Sequence, residues 1–280
     1  MGITKQDKYN IGAADLLSPS NATEFLHGHL KLDEGGGDVL NDSSGNNRDL
    51  TWSTSGANAT AAAAGVWTGN GLEYGSGTAA EDCFIASSKD HYNIGDNSKT
   101  WLAVIQYTLT SIPIADISLF SGRGAVGGAV DAGHTIAVTP TQVATAVHNG
   151  TSVIATITTG GTMGAANERF TAAIAVDASQ GSFGEINLIT CGDTTTAHIQ
   201  YQVRTPVTIT ALNDTTTSND FTCIGQRSSV LGANLTKDII FHSVRCYCDE
   251  SGGALPDNLG DIVRWLHQNE EANIPALWWN

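Results

Sequence analysis

From Cys83 to Cys248 the chain repeats one pattern, a short apolar run followed by a cluster of turn-forming residues. The runs are CFIA, WLAVIQYTL, ISLF, HTIAV, ATAV, SVIATI, FTAAIAV, EINLIT, HIQYQV, FTCIG and DIIFHSVRCYC; GDNS, HNGT, DASQG and NDTTTSND are among the breaks. Such runs read as strands, because branched and aromatic side chains pack on a pleated surface while Gly, Asn and Asp take up the backbone angles of tight turns. No long amphipathic helix interrupts them. That order favours an all-β antiparallel β-sandwich over a parallel α/β sheet, which needs a crossover helix between strands.

The ends differ from the middle. Residues 1–24 show no sustained period, and SPSNAT reads as a linker or extended arm. From Leu26, the positions Leu26, Gly28, Leu30 and Leu32 alternate with His27, His29, Lys31 and Asp33, which predicts a strand with one buried face. Near the other end, Pro256 and Asp257 can start a helix, and Leu259, Ile262, Val263 and Leu266 follow at helical spacing. One short C-terminal α-helix should therefore pack on the sheets. The chain closes with NIPALWWN; an exposed pair of Trp278 and Trp279 lowers solubility, so this tail either tucks against its own domain or docks on a partner. The expected division is an arm at 1–24, a sandwich at 25–250, and a helix with an aromatic tail at 251–280.

Charge narrows the choice of partners. The 280 residues carry a formal charge of −15 with 13 Lys and Arg scattered along them, so nucleic acid and anionic membrane surfaces are not expected to bind. No apolar run reaches the roughly 18 residues that cross a bilayer. The start, MGITKQDKYNIGAADLL, has no segment of signal-peptide type, and folding in a cytoplasm is expected. Cys83, Cys191, Cys223, Cys246 and Cys248 are then expected to be free thiols, with Cys246 and Cys248 pointing to one face of a strand.

Four segments in order carry a resemblance: HLKLDEGGG, NDSSGNNRDLTW, VWTGNGLEYGSG and HYNIGDNSKTWLAVIQYTL. Together they resemble the N-terminal half of a LamG-like jelly roll in the concanavalin A-like lectin and glucanase superfamily. The matching residues are Leu32, Asp33 and Glu34; Asp42, Ser43, Ser44, Gly45 and Asn46; Trp67, Gly69, Gly71, Leu72 and Tyr74; and Thr100 with Trp101. The strand IIFHSVRCYC and the helix after it resemble the family's closing elements, so the likeness spans roughly residues 25–270. It implies a jelly-roll fold. The superfamily holds sugar binders, glycosidases, interaction modules and spacers, so function has to be argued from residues.

The glucanase branch needs two carboxylates close together, as in Glu-x-Asp-x-Glu on one strand face. That motif is absent. Asp33–Glu34, Glu81–Asp82, Asp249–Glu250 and Glu270–Glu271 are sequence neighbours, which a strand points to opposite faces. No catalytic residue is assigned, and the chain is expected not to be an enzyme. For the loop, the resemblance allows calcium, with Asp42, Asn46, Asn47 and Asp49 as oxygen donors; otherwise the loop is a turn held by its own Asx hydrogen bonds. The closing strand has His242 and Ser243 where relatives place acidic residues. No cofactor-binding or metal-ligating residue is assigned.

GRGAVG, Gly122 to Gly127, fits a phosphate-loop spacing, but a loop and strand follow it and it reads as a flexible loop. His27 and His29 share a strand face and are expected to be half-exposed. Trp52, Trp67, Trp101 and Trp265 are expected in the core, and Tyr92, Tyr107 and Tyr201 are the candidates to line a lectin-like face. Domains resembling this one occur on virion surfaces. The resemblance thus implies a non-catalytic structural component of a bacteriophage particle, a capsid decoration or tail-associated protein. It would be made in the host cytoplasm, with other virion proteins or copies of itself as partners through the arm and tail. The rival is a carbohydrate-binding module that recognises a cell-surface glycan through loop polar groups and aromatic rings.

Overall fold

A computed structural model of the chain describes residues 25–53, 60–69, 71–74, 83–86, 92, 99–112, 117–124, 133–139, 141–148, 153–158, 166–177, 179, 183–193, 198–208, 220–225 and 239–269. The arm at 1–24 and the tail with Trp278 and Trp279 lie outside them. In chain order the strands begin with β1 (Leu26–Leu30), β2 (Val39–Leu40), β3 (Leu50–Ser53), β4 (Trp67–Thr68), β5 (Gly71–Leu72), β6 (Cys83–Ala86), β7 (Thr100–Leu109) and β8 (Ile117–Gly124). They continue with β9 (Gly133–Val138), β10 (Val143–His148), β11 (Val153–Thr158), β12 (Arg169–Asp177), β13 (Phe183–Asp193), β14 (His198–Thr208), β15 (Asp220–Ile224) and β16 (Ile239–Asp249). Each apolar run read from the sequence falls on a strand. The helices are α1 (Ala61–Ala64) and α2 (Leu259–Gln268), and no helix among the described residues is long and apolar enough to cross a membrane.

Two antiparallel sheets form the sandwich. One runs β14-β13-β12-β7-β16-β5-β4, with β1 on the same edge of β16 as β5; the other runs β11-β10-β9-β8-β15-β6-β3-β2. First and last strands are therefore neighbours, so the chain closes its own sheet.

The two sheets differ in how many faces they bury, and the sequence reflects this. Along β7, Trp101, Ala103, Ile105, Tyr107 and Leu109 fill the space between the sheets, while Leu102 and Val104 face outward into a second cluster with Leu259, Ile262, Val263, Trp265 and Leu266 of α2. In β12, Ile174 and Val176 point inward, and Ala173 and Ala175 outward beneath the helix. A strand covered on both sides is apolar throughout. The second sheet alternates instead: in β9, His134, Ile136 and Val138 are buried and Thr135 and Ala137 are half-buried. The result is three layers, helix on sheet on sheet.

Several expectations need correction. The sequence pattern put Leu26, Gly28, Leu30 and Leu32 on one face, but the register slips between Leu26 and Gly28. Leu26 consequently joins the helix-side cluster, whereas Leu30 and Leu32 lie between the sheets. Tyr92 and Tyr107 line no surface; both are buried because their rings lie between the two sheets, in the inter-sheet core. Tyr201 lies on β14, and its side chain is outside the described residues. Gly122–Gly124 continue strand β8 instead of forming a loop, and Ala125 to Gly127 are outside the described residues. The four-residue helix α1 was not read from the sequence. Thr60 caps it by accepting a hydrogen bond from Ala63 N, and Gly65 ends it with φ 66°. The tryptophans behave as expected: Trp101 and Trp265 are buried, and Trp52 and Trp67 pack against the inter-sheet core.

The Tyr92 ring lies over Gly28, where an added Cβ would sit 2.5 Å from the ring, and its hydroxyl donates to Arg48 O at 2.8 Å. Gly28→Ala should therefore force the ring aside and lower stability by about 1–3 kcal/mol, read from urea unfolding. An unchanged midpoint would show that the contact is not fixed.

Candidate binding site

The polar loop after β1 is a clasp held by one carboxylate. Asp42 Oδ1 accepts hydrogen bonds from His29 N and Ser44 N, both at 2.9 Å, and Oδ2 accepts from Ser44 Oγ at 2.8 Å and Arg48 N at 3.0 Å. Asp49 Oδ1 accepts from Asp42 N at 2.7 Å. Asn46 Nδ2 donates to Leu26 O and His27 O, and Arg48 Nη1 also donates to His27 O. Burial alone would raise the Asp42 pKa, but the bonds from His29, Ser44 and Arg48 outweigh it and hold the carboxyl below the usual range.

Asp42, the first of the oxygen donors expected for calcium, is taken up by the protein itself in this arrangement. A carboxylate has about four lone-pair sites, and the protein's own donors already use four on Asp42. Among the described residues, no group of three or more His, Cys, Asp or Glu is placed to hold a metal. His242 and Ser243 belong to a different site. Cys246 lies in the inter-sheet core with Cys248 packed against it, so the two thiols do share a face; burial raises the Cys246 thiol pKa and carries Cys248 to about 11.

That different site is a cavity of about 290 Å³ on the outer face of the helix-bearing sheet. Its floor and wall come from Gln106 on β7, Arg169 on β12 and the pair His242 and Ser243 on β16; its rim from Lys31, Asp33 and Gly35 after β1 and from Thr68, Gly69 and Gly71 around the β4–β5 turn. Two backbone irregularities build it. A bulge between Phe241 and Ser243 lets both His242 and Ser243 face outward, whereas Phe241 and Val244 on either side point into the core. On the rim, Leu32 is held at φ 57° with its side chain buried between the sheets, so the neighbouring Lys31 and Asp33 both reach the cavity. A branched residue at positive φ stores of order 1 kcal/mol of strain, and such strain concentrates at functional sites.

Beneath the cavity a buried network fixes its walls. Gln106 Oε1 accepts from Ser243 Oγ at 2.7 Å, Arg245 Nη1 at 3.1 Å and Arg169 Nη2 at 3.3 Å. Gln106 Nε2 donates to Leu266 O at 2.9 Å, which ties the network to the last turn of α2. Thr108 Oγ1 and His242 Nε2 are 2.8 Å apart, and Thr171 Oγ1 and His267 Nδ1 likewise. Arg245 is fully buried behind Gln106 and Ser243. His29, expected to be half-exposed, is only 3% exposed and pairs across from Arg245; its pKa falls to about 3, from burial first and then from Arg245 and Lys31, against a smaller opposing pull from Asp42. His27 instead lies edge-on to Tyr92, so the two histidines form no common site.

No known family's sequence pattern matches the chain, and no curated protein does. Solved structures match in shape. The binding domain of botulinum neurotoxin serotype D aligns at a TM-score of 0.50 and 9% identity over 88% of this chain and 52% of that one. A Trypanosoma rangeli sialidase aligns at 0.50 and 13% identity over 89% of this chain and 33% of that one. The chain thus spans about half the length of the toxin domain and a third of the sialidase. At such identities the likeness establishes the fold, a lectin-like β-sandwich.

The residues that make the site, Lys31, Gln106, Arg169, His242 and Ser243, were not assigned to a common site from sequence. Two signals were there. A glutamine interrupts the apolar run WLAVIQYTL, and an arginine interrupts the closing strand. A polar group inside a doubly covered strand must be satisfied by something.

Two outcomes test the site. Below pH about 6.5 the unfolded chain takes up a proton that folded His29 refuses, so His29 contributes stability that is present above that pH and lost as pH falls toward 3. Between pH 7 and 5 this amounts to about 2 kcal/mol, and His29→Gln should remove that part of the slope in urea midpoints. Calcium at about 1 mM, which would fill sites of ordinary extracellular affinity, should leave the thermal midpoint of the wild type unchanged. A rise would mean that the Asp42 clasp rearranges around the ion.

Proposed function

We propose that this chain is a non-catalytic glycan-binding module whose cavity between Lys31, Arg169 and His242 takes one sugar residue. The observation that carries the reading is a formed cavity, near the small end of the roughly 300–1,000 Å³ range of ligand pockets, lined by polar groups on rigid strands. A sugar ring offers hydroxyls that both donate and accept. Here Lys31 and Arg169 provide donors, and Asp33 provides acceptors, with the Thr68 hydroxyl, whose proton goes to Gly71 O, able to accept as well. The glycine-rich rim allows a ring to approach closely. The lectin-like fold is consistent with this reading.

Two features support a binding role over catalysis. Glycoside hydrolysis uses a pair of carboxyl groups across the bond, and Asp33 is the one carboxylate among the described lining residues. The walls are also fixed by hydrogen bonds to neutral Gln106, an arrangement suited to holding a ligand still. The finer reading, a LamG-like, concanavalin A-like domain carried on a phage particle, rests on the sequence resemblance. Recognition of host sugars would give such a domain a use there.

Gly69 offers a clean test. An added Cβ there meets nothing within 4 Å, so Gly69→Trp can be accommodated by the fold while its indole blocks the cavity mouth. On a glycan array the wild type should bind saturably, and Gly69→Trp should lose about tenfold or more with an unchanged thermal midpoint. Absence of saturable binding, or binding untouched by the block, would end the proposal. Cleavage of a bound glycan that disappears in Asp33→Asn would replace it with a hydrolase.

A further inference from the structure

Resting on the glycan reading, we infer that the sugar residue taken by this cavity is an acidic one, its carboxylate seated against Arg169 and Lys31. The charge in and behind the walls points that way. Lys31 and Arg169 line the cavity with His242, Arg245 lies buried directly behind Gln106 and Ser243, and Asp33 stands at the rim as the lining carboxylate. Three permanent cations thus gather around one small volume in a chain whose formal charge is −15. Such a concentration against the overall sign marks a place where an anion is wanted.

Magnitudes decide between the local cations and the acidic chain. The attraction between two charges grows as they approach, so an ion pair in contact near a protein surface is strong before desolvation. Charges farther than about 8 Å are largely screened at physiological salt. An anion in the cavity is therefore governed by its walls. His29 senses the same positive field, since Arg245 and Lys31 both oppose its protonation.

Geometry adds orientation to charge. Arg169 Nη2 donates to Gln106 Oε1, and that oxygen is itself held by Ser243 and Arg245, so one end of the guanidinium is anchored before any ligand arrives. An anchored guanidinium can give a carboxylate two parallel N–H bonds, which a neutral hydroxyl cannot use in the same way. Thr68 Oγ1, which donates to Gly71 O, keeps lone pairs on the wall that can accept from a ring hydroxyl beside it.

The test is calorimetric titration of the whole chain with glucuronate, galacturonate and N-acetylneuraminate, their neutral counterparts glucose and galactose, and inorganic phosphate and sulfate. At least one acidic sugar should bind about tenfold or more tightly than its neutral counterpart, and that advantage should shrink between about 50 and 500 mM NaCl. Arg169→Gln should remove most of the advantage. Because Arg169 belongs to the buried network, Lys31→Met on the rim is the second variant, expected to reduce the advantage with an unchanged thermal midpoint. Equal binding of acidic and neutral sugars would overturn the inference and leave the glycan reading standing. Phosphate or sulfate binding as tightly as any sugar acid would overturn both, leaving a plain anion site.

Discussion

One sheet of this sandwich is buried on both faces, and the rest of the structure follows from that constraint. Its strands cannot alternate apolar with polar residues, so they are apolar throughout wherever α2 lies over them. Where the helix ends, the outer face still needs covering or solvating. Gln106, Ser243, Arg245, Arg169 and Thr171 occupy that border, hydrogen-bonded partly to one another and partly to the helix end at Leu266 and His267. The polar patch is therefore a consequence of finite helix length, and the cavity opens just beyond it.

Gln106 is the node of that border. A neutral amide can accept on one side and donate on the other, so a single side chain joins strands β7, β12 and β16 to the helix. A carboxylate there would offset the charge of the arginines; an apolar residue would remove the oxygen that Ser243, Arg169 and Arg245 share. Coupling the helix end to the cavity walls also means that whatever holds α2 in place holds the site. The apolar contacts of Leu259, Ile262, Val263 and Leu266 thus serve the site at a distance.

The two loops near β1 divide the work differently from what the sequence suggests. The Asp-Ser-Ser-Gly-Asn segment attracts attention because its oxygens resemble a cation cage, yet the Asp42 carboxylate and the Asn46 amide nitrogen are engaged by the backbone of β1 and by the loop itself. The preceding LKLDEGGG segment looks like a plain strand end, and it supplies the cavity rim through the unusual backbone at Leu32. Asx turns and metal cages draw on the same atoms. Only the positions of the N–H groups tell them apart.

The longer strands, the sheet type, the C-terminal helix and the core tryptophans were legible in the sequence, because period, turn chemistry and helix spacing are local properties that neighbouring residues carry themselves; the two- to four-residue strands β2 to β5 are too short to show a period. The site was not, since residues 31–35, 68–71, 106, 169 and 242–243 meet only after the chain has crossed both sheets. Register was equally hidden: the slips near Leu26 and at His242 each turn a side chain to the other face, and alternation alone cannot reveal a bulge. Tyr92 and Tyr107 were misplaced for a related reason, as a tyrosine can sit on either face of a strand until the layers above and below are known. Sequence by itself determined a layered β-sandwich with a capping helix. Tertiary structure decided which polar residues share one cavity and what charge it holds, because distance through space is set by packing and not by spacing along the chain.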